Sequence, residues 1–135
     1  MYFIKLFCST FIVLLLIDIS WVGLIAKNIY LENLSHLLNY SNGAFSPNGY
    51  AAILVYVLVV VGIICFVLPQ ANGNYLRALI WGAVFGLVIY GIYNFTNFAT
   101  LTGWPLNLSF IDLAWGIILC AVVSVFATFM QKMLS

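Results

Sequence analysis

Two copies of Ile-Asp-x-x-Trp lie inside strongly apolar stretches of this 135-residue chain, Ile17-Asp18-Ile19-Ser20-Trp21 and Ile111-Asp112-Leu113-Ala114-Trp115. The chain has three acidic residues in all, and these two stand where lipid is expected. A carboxylate placed in hydrocarbon costs at least about 2.5–3.5 kcal/mol, so it faces a partner, a water-filled cavity or a ligand. Two such groups support two chemistries. They hold a cation, a proton or a polar headgroup, or they act as an acid and base pair, because two close carboxylates do not share the same proton affinity. Other chemistries lack their residues. There is no GxSxG elbow, Walker loop, HExxH pair or dinucleotide glycine fingerprint. His36 is the one histidine and Cys8, Cys65 and Cys120 form no CxxC, so neither a metal nor a cofactor is expected. The cysteines read as small buried hydrophobes.

The elements that position these acids follow from composition. The chain is 66% hydrophobic and 5% charged, with a mean hydropathy of +1.19, against roughly 25% charged residues in a soluble domain. Net charge is +1 with no basic run, which argues against a nucleic-acid partner. Four segments, 3–26, 50–69, 76–97 and 107–130, approach the roughly 20 residues of a membrane helix. The expectation is a single-domain, all-α, four-helix transmembrane bundle, with the lipid bilayer as its first partner. The first segment is too long and too polar at Asp18 for a secretory signal and reads as a retained span. Lys5, Arg77 and Lys132 fall on one side and Lys27 on the other, so the positive-inside rule puts both termini in the cytoplasm. The turn at 70–74 is tight. In the longer loop at 27–49, Tyr30, Leu31, Leu34, Leu37 and Leu38 recur at helical spacing, which suits a short interfacial helix, before Ser41-Asn42-Gly43 and Ser46-Pro47-Asn48-Gly49 break the chain.

Depth ties the two acids together. Spans one and four run in opposite directions, Asp18 precedes Lys27 by nine residues and Asp112 follows Asn107 by five. Both therefore sit roughly 7–14 Å from the outer ends of their helices. Helix rotation, which sets whether they face each other, is not written in the sequence. On span three, Ala78, Gly82, Gly86, Tyr90 and Asn94 fall every fourth residue. Gly82 and Gly86 form a small-residue contact that suits a neighbouring helix, and a homo-oligomer through that face is expected. Tyr90 and Asn94, with Asn97 beyond them, reach the level of the acids and can donate to a carboxylate. Trp21 and Trp115 each share a helix face with an aspartate. The plain alternative is that they anchor at the membrane boundary and that the acids serve as packing glue. The candidate ligand-binding residues are Asp18, Trp21, Tyr90, Asn94, Asn97, Asp112 and Trp115.

Asp18-x-x-Trp21 with Ala26-Lys27-Asn28-Ile29-Tyr30, Tyr93-Asn94-Phe95-Thr96-Asn97-Phe98-Ala99-Thr100-Leu101, Trp104-Pro105 and Asp112-x-x-Trp115-Gly116 together resemble the bacterial "domain of unknown function 2177" membrane proteins. The resemblance covers nearly the whole chain and implies a small four-helix inner-membrane protein. Asn94 departs from the aspartate typical of that run in the family. The residues favour a membrane protein that binds or transports a small polar ligand, a proton or an ion. The alternative is a membrane enzyme or enzyme subunit acting on a lipid or isoprenoid, with Asp112 and Asp18 as acid and base and Tyr90 or Asn94 orienting the substrate. A purely structural partner of another membrane protein is the third class.

Overall fold

Hydrocarbon offers no partner to a backbone N–H or C=O, so an apolar segment crossing it closes its own hydrogen bonds as a helix. The computed structural model describes Met1–Ser135. Four helices are long and apolar enough to cross a membrane, Tyr2–Ile25, Gly49–Ala71, Tyr75–Thr100 and Leu106–Leu134, so the all-α four-span reading is confirmed. In chain order, α1 (Tyr2–Ser20) runs into a π-helical turn at Trp21–Ile25, and Ala26 leads to α2 (Lys27–Leu34). A hairpin of β1 (Tyr40–Ser41) and β2 (Ala44–Phe45) follows. The second span is α3 (Gly49–Gly62), a second π-helical turn (Ile63–Val67) and α4 (Leu68–Ala71), and the third and fourth are α5 (Tyr75–Thr100) and α6 (Leu106–Leu134). The end carrying α2 and the hairpin is the capped end, and the end with the Asn72-Gly73 turn is the turn end.

Local chemistry sets the boundaries. The side chains of Asn48 and Asn74 accept from Ala51 N–H and Arg77 N–H and so cap α3 and α5. The loop helix is shorter than its apolar spacing suggests, since α2 stops at Leu34. Asn42-Gly43 is more than a break. Both residues have positive φ, 52° and 78°, the left-handed pair that a two-residue hairpin turn requires and Asn-Gly accommodates. Tyr40 pairs with Phe45 and Ser41 with Ala44.

The four spans are apolar all round, so small and polar residues choose the inner faces. On α1 the buried residues are Leu6, Thr10, Leu14 and Asp18, one every fourth position. The stripe that carries the core residues thus carries Asp18 inward. α6 is central, packed along α5 and against α1. α5 turns Ala78, Gly82, Gly86 and Asn94 toward it. A Cβ on Gly86 would lie 2.2 Å from the Gly116 carbonyl oxygen, and one on Gly82 2.6 Å from that of Cys120. The glycine face expected to seat a second copy is therefore filled by α6 of the same chain. Of the cysteines, Cys120 is buried in this packing, whereas Cys8 and Cys65 point outward rather than into the core.

The second and third spans meet mainly along the second π-helical turn and α4. At Gly62 the Phe85 ring lies so close that a Cβ would come within 2.3 Å of it. From that contact toward the capped end the two helices part. Gly86→Val is expected to lower the unfolding temperature in detergent, with a loss of about 1–3 kcal/mol from overpacking. Gly91→Ala, whose Cβ would meet its nearest neighbour, Leu113, at an ordinary 3.7 Å, is expected to leave it unchanged.

Candidate functional site

Spans one and four are antiparallel, and this decides how the two Asp-x-x-Trp motifs meet. In span one Trp21 lies nearer the capped end than Asp18, and in span four Trp115 lies farther from it than Asp112. Three residues rise about 4.5 Å, so each tryptophan comes level with the aspartate of the other motif. Trp115 Nε1 donates to Asp18 Oδ1 at 2.8 Å. Trp21 Nε1 donates to the Tyr30 hydroxyl at 3.3 Å, and that hydroxyl donates to Asp112 Oδ1 at 2.6 Å. The two indoles stack with centroids 4.6 Å apart and planes 11° from parallel, an arrangement worth about 0.5–1.5 kcal/mol beyond buried area. The π-helical turn, closed by Ala26 N–H donating to the Trp21 carbonyl at 2.7 Å, precedes the buried Ala26 from which α2 brings Tyr30 to the site.

Each carboxylate has a second donor on a third helix. The Tyr56 hydroxyl of α3 donates to Asp18 Oδ2 at 2.6 Å. Asn94 Nδ2 of α5 donates to Asp112 Oδ2 at 2.6 Å and to the Tyr90 carbonyl at 2.9 Å. The amide orientation is fixed by chemistry, because the reverse would turn an oxygen onto the carboxylate. Asn94 Oδ1 is left buried with no donor, on a residue 1% exposed. All four donors to the acids, Tyr56, Trp115, Tyr30 and Asn94, are neutral. Asp18, 7% exposed, is closed in by its partners. Asp112 opens on a cavity of about 420 Å³ between spans two, three and four, where it is the one residue of eight that is not hydrophobic.

The structure thus brings Asp18, Trp21, Asn94, Asp112 and Trp115 into one network. Tyr90 lines the cavity beside Asp112. Its ring rests on Gly116, where a Cβ would lie 2.1 Å away. Asn97 is half-buried and donates to neither acid. Sequence reasoning missed Tyr30 and Tyr56 as site residues. Tyr56 could have been found as the hydroxyl in an otherwise apolar span seven residues after Gly49. Tyr30 belonged to the interfacial helix, and only its place in the Ala26–Tyr30 run hinted at more. His36, four residues beyond Glu32, lies with its ring over Gly103, where a Cβ would be 3.1 Å from Nε2.

A family model described as "Predicted membrane protein (DUF2177)" matches residues 3–129. The chain belongs to the DUF2177 family. The match contains all four spans' network residues, from Asp18 to Trp115. No curated protein and no solved structure matches this DUF2177 chain.

Tyr30 stands outside the spans. Burial first, and then the Asp112 charge, push its phenol above the ordinary value of about 10. Its docking therefore stabilises the fold fully below about pH 10 and is lost as alkali ionises it. Tyr30→Phe is expected to remove this alkaline dependence, read as the wild-type-minus-variant tyrosinate absorbance appearing only above about pH 10. Trp115→Phe keeps a stacked ring but leaves Asp18 one donor short, and is expected to lower stability by about 1–3 kcal/mol in thermal unfolding.

Proposed function

We propose that this multi-pass membrane protein binds, and in a transport cycle releases, a small cationic or hydrogen-bond-donating group at Asp112. The observation that carries the reading is the charge balance. Two carboxylates share a bundle with four neutral donors and no lysine, arginine or histidine among their partners. A neutral donor orients a carboxylate but does not cancel its charge, and in hydrocarbon that charge calls for a cation or a proton.

The two acids divide the work. Asp18 is enclosed by Tyr56 and Trp115 and acts as the anchor of the network. Asp112 is half-buried and faces the cavity, so it is the group a ligand meets. Each of its oxygens accepts one hydrogen bond from the protein and has capacity for another. The cation distribution favours both termini in the cytoplasm of a bacterial inner membrane, which sets the site in the outer half of the bilayer. Acid and base chemistry on a lipid is the second reading, favoured by the Tyr90 side chain and Asp112 lining one apolar cavity. It predicts a changed lipid profile between a deletion strain and its complement.

Asp112→Asn preserves shape and removes charge. With ethylamine as a small ammonium probe and tryptophan fluorescence as the readout, this variant is expected to bind about tenfold or more weakly, a change of about 1.4 kcal/mol or more, with its unfolding temperature close to wild type. Asp18→Asn is expected to shift the unfolding temperature more than the affinity. Wild-type ethylamine binding by Asp112→Asn would refute the reading.

A further inference from the structure

The cavity at Asp112 is a groove, and its shape and lining narrow the class of ligand. It is bounded by Val55, Leu58 and Val59 on the second span and by Phe85, Ile89 and Tyr90 on the third, with Asp112 as its only charged residue. The Gly62–Phe85 contact closes it toward the turn end. Toward the capped end Leu34, Trp104 and Leu108 form a separate apolar plug, and the stacked Trp21 and Trp115 occupy the adjoining side of the network. The open direction lies between the two spans. Val55 and Leu58 are 58% and 59% exposed there, at a level where a membrane protein is surrounded by acyl chains.

A solute that is polar throughout finds no path along such walls. An apolar chain does, and about 420 Å³ holds roughly a dozen methylene-sized groups at about 30 Å³ each. The groove runs alongside α5 from Phe85 to the level of Asn94, a rise of about 13 Å. Its polar end supplies a carboxylate with only neutral partners and, next to it, the buried acceptor Asn94 Oδ1 with no donor. An anionic head is repelled there. A neutral alcohol would satisfy Asn94 but leave the charge. An ammonium, with several N–H donors and a positive charge, answers both.

We propose, resting on the reading of Asp112 as the ligand contact, that the groove between the second and third spans seats the alkyl chain of a single-chain cationic amphiphile, entering sideways from the membrane with its ammonium on Asp112 and Asn94 Oδ1. The chain fixes position and the head supplies affinity, because an alkyl chain moving from lipid into an apolar groove gains no hydrophobic energy.

The test uses the full chain in phosphatidylcholine vesicles with dodecylamine carrying a terminal diazirine, and maps photo-labelled peptides by mass spectrometry. Label is expected in the segments around 55–59 and 85–93, reduced about tenfold by Asp112→Asn and by Val55→Trp, a change of about 1.4 kcal/mol. Leu58→Trp serves as a second groove-filling variant. Ethylamine binding is expected to fall in Asp112→Asn and to stay within about twofold of wild type in both groove variants. The matching diazirine alcohol is expected to label the groove about tenfold less. Label spread over all four spans and indifferent to Val55→Trp and Leu58→Trp, with ethylamine still lost in Asp112→Asn, would overturn the groove proposal and leave the Asp112 reading standing. Equal labelling by the alcohol would overturn the cationic assignment. Wild-type behaviour of both amines in Asp112→Asn would overturn the Asp112 reading and the groove proposal together.

Discussion

A carboxylate inside a membrane bundle must be met by donors from other helices, and the arrangement here depends on meeting two of them at once. Antiparallel copies of Asp-x-x-Trp solve this by exchange. Trp115 serves Asp18 directly, and Trp21 serves Asp112 through Tyr30. The exchange pulls the tryptophans face to face, which ties span one to span four at the level of the acids. Tyr56 and Asn94 then recruit spans two and three to the same level. Aliphatic contacts between helices have no hydrophobic preference over lipid tails, so such hydrogen bonds, with close packing, give the bundle its specificity.

Close packing supplies the other half. Gly82 and Gly86 let α5 approach α6 until backbone carbonyls take the space a methyl group would fill. That approach delivers Asn94, two turns beyond Gly86 on the same stripe, to Asp112. Phe85, one residue from Gly86, works on the opposite partner. Its ring on Gly62 holds the second span against the third at one point and leaves them apart beyond it. Two glycine contacts on neighbouring residues of one helix thus make one seam tight and the other open.

The four spans, their lengths and the shared depth of Asp18 and Asp112 were legible in the sequence, because hydropathy and residue count along a helix are one-dimensional quantities. The Leu6-Thr10-Leu14-Asp18 spacing even pointed Asp18 inward. Partner identity was not legible. Tyr56 meets Asp18 across 38 positions and Tyr30 meets Asp112 across 82, and such pairings depend on helix rotation that an all-round apolar pattern leaves undetermined. The glycine stripe was read correctly as a packing face and assigned to the wrong neighbour, since small-residue spacing is the same whether the facing helix belongs to the same chain or another. Asn42-Gly43 was read as a break although it carries a hairpin signal, because the flanking strands are only two residues each.

The π-helical turn after Asp18 makes part of this design a matter of counting rather than of side chains. It holds one residue more than an α-helical turn requires, and Tyr30 is reached from its far side. Removing any single residue between Trp21 and Ile25 would let the turn relax to α-helix and swing everything after it by about 100°. No substitution within the turn has that reach. The reading frame of the helix itself therefore sets whether the loop's phenol finds the carboxylate of the last span, and length variation at this point is far more restrictive than variation in residue type.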